Sequence, residues 1–498
     1  MAELALGVVG LAGTVDACVK LGKYLVQACK DYSQSDAKLN ELSLRMEICW
    51  LRISSQLEVM THLERGMSAE QNSIQGRILL VLRSKLDDAV ILISKPDKFA
   101  SSRTAKKLYF LSLRDDLEKT VAELESWQER FKPTWFQLVK DAPLATIDGM
   151  HKNISVGNSR HATEPTLEAV KFRRAFEEED RRPVFIAEKT LQSLYKRVIP
   201  YCSAQLAVEP NESKYHIIDT VSADIVNAKD ARDLASRLRD SNPLNSGTLK
   251  CKGIVRQPKK SSMAFIFRVP DGYTNVRSLR ELLLSGQPPE SLTIRLEMAR
   301  QLVNAVYFVH LYEFVHKNLS PETILSLEKE GERNATVCLV GFQVIRHAEA
   351  KTNTSKADRK EILYQHSARQ GSESVDFIMQ HDIYSLGVCL LEIGLWEPLI
   401  TYGPDGTQQT SNIIGPEQNG SEKYTPSLVQ KQLIALSRGK LRVIMGDRYS
   451  KVVETCLTCL DEGNTDFGDP KEFQDEDGIE VGARYVKKVM DIISEISF

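Results

Sequence analysis

Cysteine is scarce: nine residues in 498, unevenly spaced, which excludes a disulfide-stapled scaffold and points to a reducing compartment. Cys456 and Cys459 make a single C-x-x-C. No second pair stands at zinc-finger spacing, so two buried helix cysteines are expected there and no metal site. Charge of one sign is also lacking, since 65 basic residues face 67 acidic ones for a net charge of -2, and no broad attraction for nucleic acid follows. The apolar start has Glu3 as its first charge and no basic stretch before it, so no cleaved signal peptide is expected. What is present, 498 residues at 42% hydrophobic and 27% charged, is an ordinary folded composition too long for one core, so several domains are expected.

The N-terminal third carries helical spacing. Leu39, Leu42, Met46, Cys49, Ile53, Leu57 and Met60 step by three or four and share one face. A second stripe runs Ile74, Ile78, Leu82, Leu86, Ala89 and Ile93, and a third runs Leu113, Leu117, Val121, Leu124, Trp127 and Phe131. Helix breaks are expected at Lys95-Pro96-Asp97-Lys98 and around Lys132-Pro133, because proline removes an amide donor. The first segment differs: residues 4 to 15, LALGVVGLAGTV, hold no charge and three glycines. They fit either the centre of a bundle or a segment that leaves it for a membrane. Twelve residues of helix cover only about 18 Å, short of the roughly 30 Å hydrocarbon core, so a conventional spanning helix is excluded.

A small-residue apolar start, an aromatic near Tyr24, polar residues from Asp31 to Asp36, then a long helix with Leu44-Arg45 and Trp50-Leu51-Arg52 together resemble the fungal HeLo domain over residues 1 to 140. The resemblance implies an all-α helical bundle, a four-helix bundle of heterokaryon-incompatibility and programmed-cell-death proteins. In that family the N-terminal helix is exposed on activation and permeabilises the plasma membrane. On this resemblance the membrane-active residues are Leu4, Leu6, Val8, Val9 and Leu11.

Residues 141 to 182 lose the helical stripe and read as a linker or brace. Beyond it come short β-like runs: VFIA at 184–187, YHIIDTV at 215–221, GIV at 253–255 and MAFIFRV at 263–269, with one helix near Asp230 to Arg239. After Ser278 the pattern reads helical nearly throughout, with a surface loop at 401–424 and a helical stripe from Tyr485 to Phe498. Strands first and helices after predict an α+β domain over 183–498, with a sheet lobe to about 277 and a helical lobe from 278.

Residues 298–325, MARQLVNAVYFVHLYEFVHKNLSPETIL, resemble the protein-kinase segment in which a helix ending in a Tyr-Leu-His-like triplet enters the catalytic loop H-R-D-L-K-P-E-N. Here the triplet is Phe308-Val309-His310 and the loop is His316-Lys317-Asn318-Leu319-Ser320-Pro321-Glu322-Thr323. Gly341-Phe342-Gln343 stands in the place of D-F-G, and Asp382 to Gly387 followed by Leu390-Leu391-Glu392 resembles the buried helix of the large lobe. The resemblance implies a bilobal protein-kinase-like fold.

The departures from that pattern fall on its chemistry. The base aspartate is replaced by Asn318, whose amide accepts no proton from a substrate hydroxyl. The metal-holding asparagine is replaced by Thr323 and the metal-holding aspartate by Gly341. No G-x-G-x-x-G precedes a strand, no V-A-I-K lysine is assignable, and the helix near Asp230 offers no partner glutamate. Lys189 is the nearest candidate for a nucleotide-binding lysine, and Asp219 stands where such a lysine is sought. No catalytic residues, no metal and no cofactor are therefore expected, and His316 is expected to support the loop backbone. The counterpart of the activation segment, 343 to 374, is basic and polar, with Thr352, Thr354 and Ser355 as candidate regulatory phosphorylation sites.

A HeLo-like bundle before a kinase-like domain resembles the mixed-lineage kinase domain-like executioners of necroptosis. The layout implies a pseudokinase that restrains a cell-death effector, cytoplasmic when inactive. An upstream activating protein would release it to self-associate on plasma-membrane lipids. The alternative is a signalling scaffold that binds protein partners through the pseudokinase; a third reading, an active kinase, would need Glu322 or Asp382 to hold metal.

Overall fold

The computed structural model describes residues 11–33, 37–64, 67, 69–93, 103–143, 145–146, 164–176, 183–209, 214–331, 335–347, 363–369, 377–414, 425–461, 463–464 and 489–496. They divide into two compact units, Met1–Glu177 and Glu178–Phe498.

The first unit is all helical: α1 (Leu11–Ser33), α2 (Ala37–Leu63), α3 (Ala69–Ile93), α4 (Arg103–Asp141) and α5 (Glu164–Arg174). α1 turns Val15, Cys18, Leu25 and Cys29 inward against α2 and α3. Gly22 lets α1 approach so closely that a Cβ there would run into the Trp50 ring. The α2 stripe is buried as its spacing predicts. In α3 the periodicity holds at Leu82, Leu86, Ala89 and Ile93, but Leu79 takes the buried place assigned to Ile78, which is half-buried.

Two expectations fail here. α4 runs on through Pro133 to Asp141, so the predicted break at Lys132-Pro133 is absent. The cost of one missing amide donor is outweighed because Phe131, Trp135, Phe136, Leu138 and Val139 are all buried on either side of the proline. The stretch read as a connector also contains α5, which packs on α2 and α4 with Val170 and Phe172 buried and the Phe172 ring 5.1 Å from Phe136. Eleven residues with so few apolar positions escape a periodicity count. The break expected at 95–98 lies outside the described residues, and none of the described helices is long and apolar enough to cross a membrane.

The second unit opens with a bridge from Phe185 to Ile254 and a short helix, α6 (Glu188–Gln192). The strands β1 (Tyr195–Val198), β2 (Gln205–Val208) and β3 (Tyr215–Ser222) follow, then α7 (Ala228–Arg237), β4 (Lys250–Gln257) and β5 (Ser262–Arg268). They form an antiparallel five-stranded sheet in the order β1-β2-β3-β5-β4. β3 and β5 occupy its middle because YHIIDTV and MAFIFR bury nearly every side chain. The run at 184–187 forms one bridge and no strand. The β1–β2 hairpin has no legible signal, since all four β1 residues are exposed.

After β6 (Tyr273–Ser278) come α8 (Leu279–Leu284), α9 (Leu292–Leu311), β7 (Phe314–Val315), β8 (Ile324–Lys329), β9 (Thr336–Leu339) and β10 (Arg346–His347). α10 (Met379–Leu395), β11 (Ile400–Tyr402), β12 (Gln408–Thr410), α11 (Pro426–Leu436), α12 (Arg442–Leu457) and α13 (Asp491–Ser494) complete the unit. This part is not purely helical: β6-β8-β9 make a three-stranded sheet, and β11–β12 a hairpin inside the expected surface loop. α9 and α10 form the centre, with every residue of α10 buried. Cys456 in α12 and Cys459 in the turn after it are buried; burial pushes the Cys456 thiol up to about 12 and the Cys459 thiol well above its ordinary value. Among the described residues no cluster of His, Cys, Asp or Glu is arranged to hold a metal ion.

Candidate functional site

α9 and β7 deliver the chain to the loop His316–Thr323, which is fastened from below by one carboxylate. Asp382, fully buried in the first turn of α10, accepts the N–H of His316 at 2.7 Å, the N–H of Lys317 at 2.9 Å and His310 Nε2 at 3.1 Å. Burial alone would raise this carboxyl. The bond from His310, the nearby imidazole of His316 and the His316 amide outweigh it and hold Asp382 below its ordinary value. His316 donates through Nε2 to Val340 O at 2.9 Å, and its Nδ1 accepts the Asn318 N–H at 3.3 Å, so the imidazole is a strut between two backbone segments. Thr323 spends its hydroxyl on the same loop, donating to Asn318 O at 2.9 Å and Ser320 O at 3.0 Å.

Above the loop a second carboxylate fixes the 341–343 turn. Asp219, fully buried in the middle of β3, accepts the N–H of Gly341 at 2.9 Å and of Phe342 at 2.8 Å on one oxygen. Its other oxygen accepts Gln343 Nε2 at 2.7 Å. Burial pushes the Asp219 carboxyl above the usual range, opposed by these three bonds. The Gln343 amide joins three parts of the unit: Nε2 also donates to Ser203 Oγ in the β1–β2 connection at 2.6 Å, and Oε1 accepts Asn318 Nδ2 at 2.9 Å. Gly341 sits at φ +88°, and a Cβ there would strike the Thr323 side chain. In this conformation position 341 therefore has no room for an aspartate.

The connection between β1 and β2, residues 199–204, is tied down at further points. Ser278 Oγ donates to Pro200 O at 2.6 Å, and the Tyr201 ring lies 4.6 Å from that of Tyr402 in β11. Tyr402 in turn sits 3.4 Å from Glu322, which belongs to a buried cluster built on Arg280 of α8. Arg280, at 0% exposure, donates to Glu322 at 3.0 Å, Glu392 at 3.0 Å, Ile400 O at 3.2 Å and the Tyr364 hydroxyl at 2.6 Å. Glu322 and Asp382, the carboxylates that an active kinase would need for metal, are thus engaged by Arg280 and by the loop backbone.

The structure brings His316, Asn318, Thr323, Gly341, Phe342 and Gln343 together. At the positions of base and metal ligands they present an amide, a hydroxyl and no side chain. Lys189 is exposed on α6 and stands on no strand, so it does not face the 341–343 turn from β3 as Asp219 does. α7 carries Asp230 and Asp233 and no glutamate. Leu11 opens α1 and is buried in the bundle, whereas Leu4, Leu6, Val8 and Val9 lie outside the described residues, as do Thr352, Thr354 and Ser355. Sequence reasoning missed Ser203, Tyr201, Tyr402 and Arg280, because no local pattern marks a residue whose role is a contact 42 to 201 positions away.

Residues 245–432 match the family model described as protein tyrosine and serine/threonine kinase. A search of the curated proteins finds no match.

Proposed function

We propose that the kinase-like domain of the second unit transfers no phosphate and serves instead as the regulatory domain of a cell-death effector, whose N-terminal bundle permeabilises the plasma membrane once released. The observation that carries the non-catalytic part is the Asp219 carboxylate on the amides of Gly341 and Phe342. An acid at the place of the nucleotide-binding lysine repels phosphate, and the turn it fixes has no metal ligand at 341. Asn318, bound to Gln343, supplies no base. The effector part rests on the HeLo-like pattern of residues 1–140 and on the all-helical first unit. In this reading the chain is cytoplasmic until an upstream activating protein acts, and self-association on plasma-membrane lipids follows.

Two measurements test it. Full-length protein with ATP and magnesium is expected to show no phosphotransfer and no rise in melting temperature; either signal refutes the non-catalytic reading. Residues 1–177, folded by circular dichroism, are expected to release dye from anionic vesicles while the full chain does not, and Leu6→Asp is expected to abolish release. Leu6 is preferred to Leu11, whose burial in α1 would mix loss of insertion with loss of folding. Intact vesicles with the folded fragment would leave the scaffold, binding protein partners through the kinase-like domain, as the reading that stands.

A further inference from the structure

The two edges of the five-stranded sheet are treated differently. β1 ends the sheet with all four residues exposed and no further strand beside it among the described residues, whereas β4 is covered by the segment that leads into the unit. Ile254 donates its N–H to Val184 O at 2.8 Å and accepts the Ile186 N–H at 2.9 Å, so 184–186 lies parallel to β4 as one bridge. Val184 is buried, Ile186 packs on the core under β4 and β5, and the Arg256 guanidinium stacks on the Phe185 ring at 3.9 Å. β4 is shaped for this neighbour. Its register slips between Cys251 and Gly253, and Gly253 at φ +154° admits the segment so closely that a Cβ would sit 2.7 Å from Val184 O. A bulge with glycine marks a place where another backbone approaches.

We propose that Val184–Ile186 is a displaceable strap on the β4 edge, and that this edge is a docking site for an extended segment with apolar residues on either side of an aromatic. The chain's own segment holds the site, and an incoming strand of that pattern releases it. The attachment is suited to exchange: two backbone hydrogen bonds, against a full ladder on the β5 side. Release has a mechanical consequence, because 183–187 then joins the covalent connection to the bundle. Five extended residues add about 17 Å to its reach. The inference rests on the fold alone and stands or falls independently of membrane activity.

The test is hydrogen exchange on the full-length chain. Ile186→Pro removes the donor to Ile254 O, and Phe185→Ala removes only the ring under Arg256. Both are expected to speed exchange at the Ile254 amide, the first by at least about tenfold, with Phe265 and Ile266 in β5 unchanged. A synthetic peptide of residues 183–187, in large excess, is expected to restore slow exchange in Ile186→Pro and to have no effect on Gly253→Val, where the approach is blocked. Unchanged exchange at Ile254 in both strap variants, acceleration that spreads equally to Phe265, or failure of the peptide to protect Ile254 would each overturn the proposal.

Discussion

The two units keep polar groups out of trouble in opposite ways. Among the described residues of the bundle, the buried polar side chains are neutral: Thr14, Ser43, Ser55, Gln56, Gln75 and Thr120. The kinase-like unit buries Asp219, Arg280, Asp382 and Glu392 at 0% exposure and ties its loops to them. An apolar stripe specifies which face is inside but tolerates other residues of similar size. A buried charge specifies one partner geometry, and removing one member leaves the rest unpaired.

Breaking that contrast gives the largest effects. Arg280→Met strands Glu322, Glu392 and Tyr364 without a cation and is expected to cost the kinase-like unit about 3–5 kcal/mol, read in urea unfolding, with the bundle transition unmoved. A loss confined to under about 1 kcal/mol would mean that the cluster is not the anchor it resembles. Leu57→Ala is expected to cost the bundle about 2–5 kcal/mol through a cavity, while Leu57→Met costs less than about 1.5 kcal/mol. Equal penalties for the two would contradict a core held by volume alone.

Asp219→Ala leaves the Gly341 and Phe342 amides and the Gln343 side chain without their acceptor, and about 1–3 kcal/mol is expected to be lost at acid pH. The pH dependence sharpens this. A carboxyl raised by folding binds its proton more tightly in the native state, so its contribution is fullest below the unfolded value and declines as pH rises through the folded one. The penalty of Asp219→Ala should therefore shrink from acid to neutral pH, and a penalty that grows with pH would count against a buried, raised Asp219. The smallest effect is at Glu209, held down to about 2 first by Lys252 and then by His216. Its contribution is present above the ordinary 4.5 and lost as pH falls towards 2. Glu209→Gln should flatten the acid limb of the stability curve over that window, by a modest amount because Glu209 is partly exposed. An identical acid limb in the variant would remove the pair from the account.

How much of this was legible depended on the distance over which each signal acts. The α2 stripe and the run of α10 are local and amphipathic or wholly apolar, so their spacing predicts them. Continuity of α4 past Pro133, α5, the β1–β2 hairpin and the β6-β8-β9 sheet were not legible: β6 pairs with β8 far along the chain, and the others have patterns that are short, polar or interrupted by proline. At the site, motif order located Asn318, Thr323 and Gly341, and the absence of a lysine pointed to Asp219 without saying what that acid does.

The sequence by itself determined which side chains stand at the motif positions, Asn318, Thr323 and Gly341, since an amide, a hydroxyl and a glycine have fixed capacities wherever they are placed. Only the tertiary structure decided what those positions contact: Asp219 on the amides of the 341–343 turn, Gln343 spanning to Ser203 and Asn318, and Arg280 gathering Glu322, Glu392 and Tyr364. The Asp219 and Ser203 contacts join the two lobes, the Arg280 cluster gathers distant segments of the second lobe, and a buried polar group must be satisfied by whatever the fold places beside it.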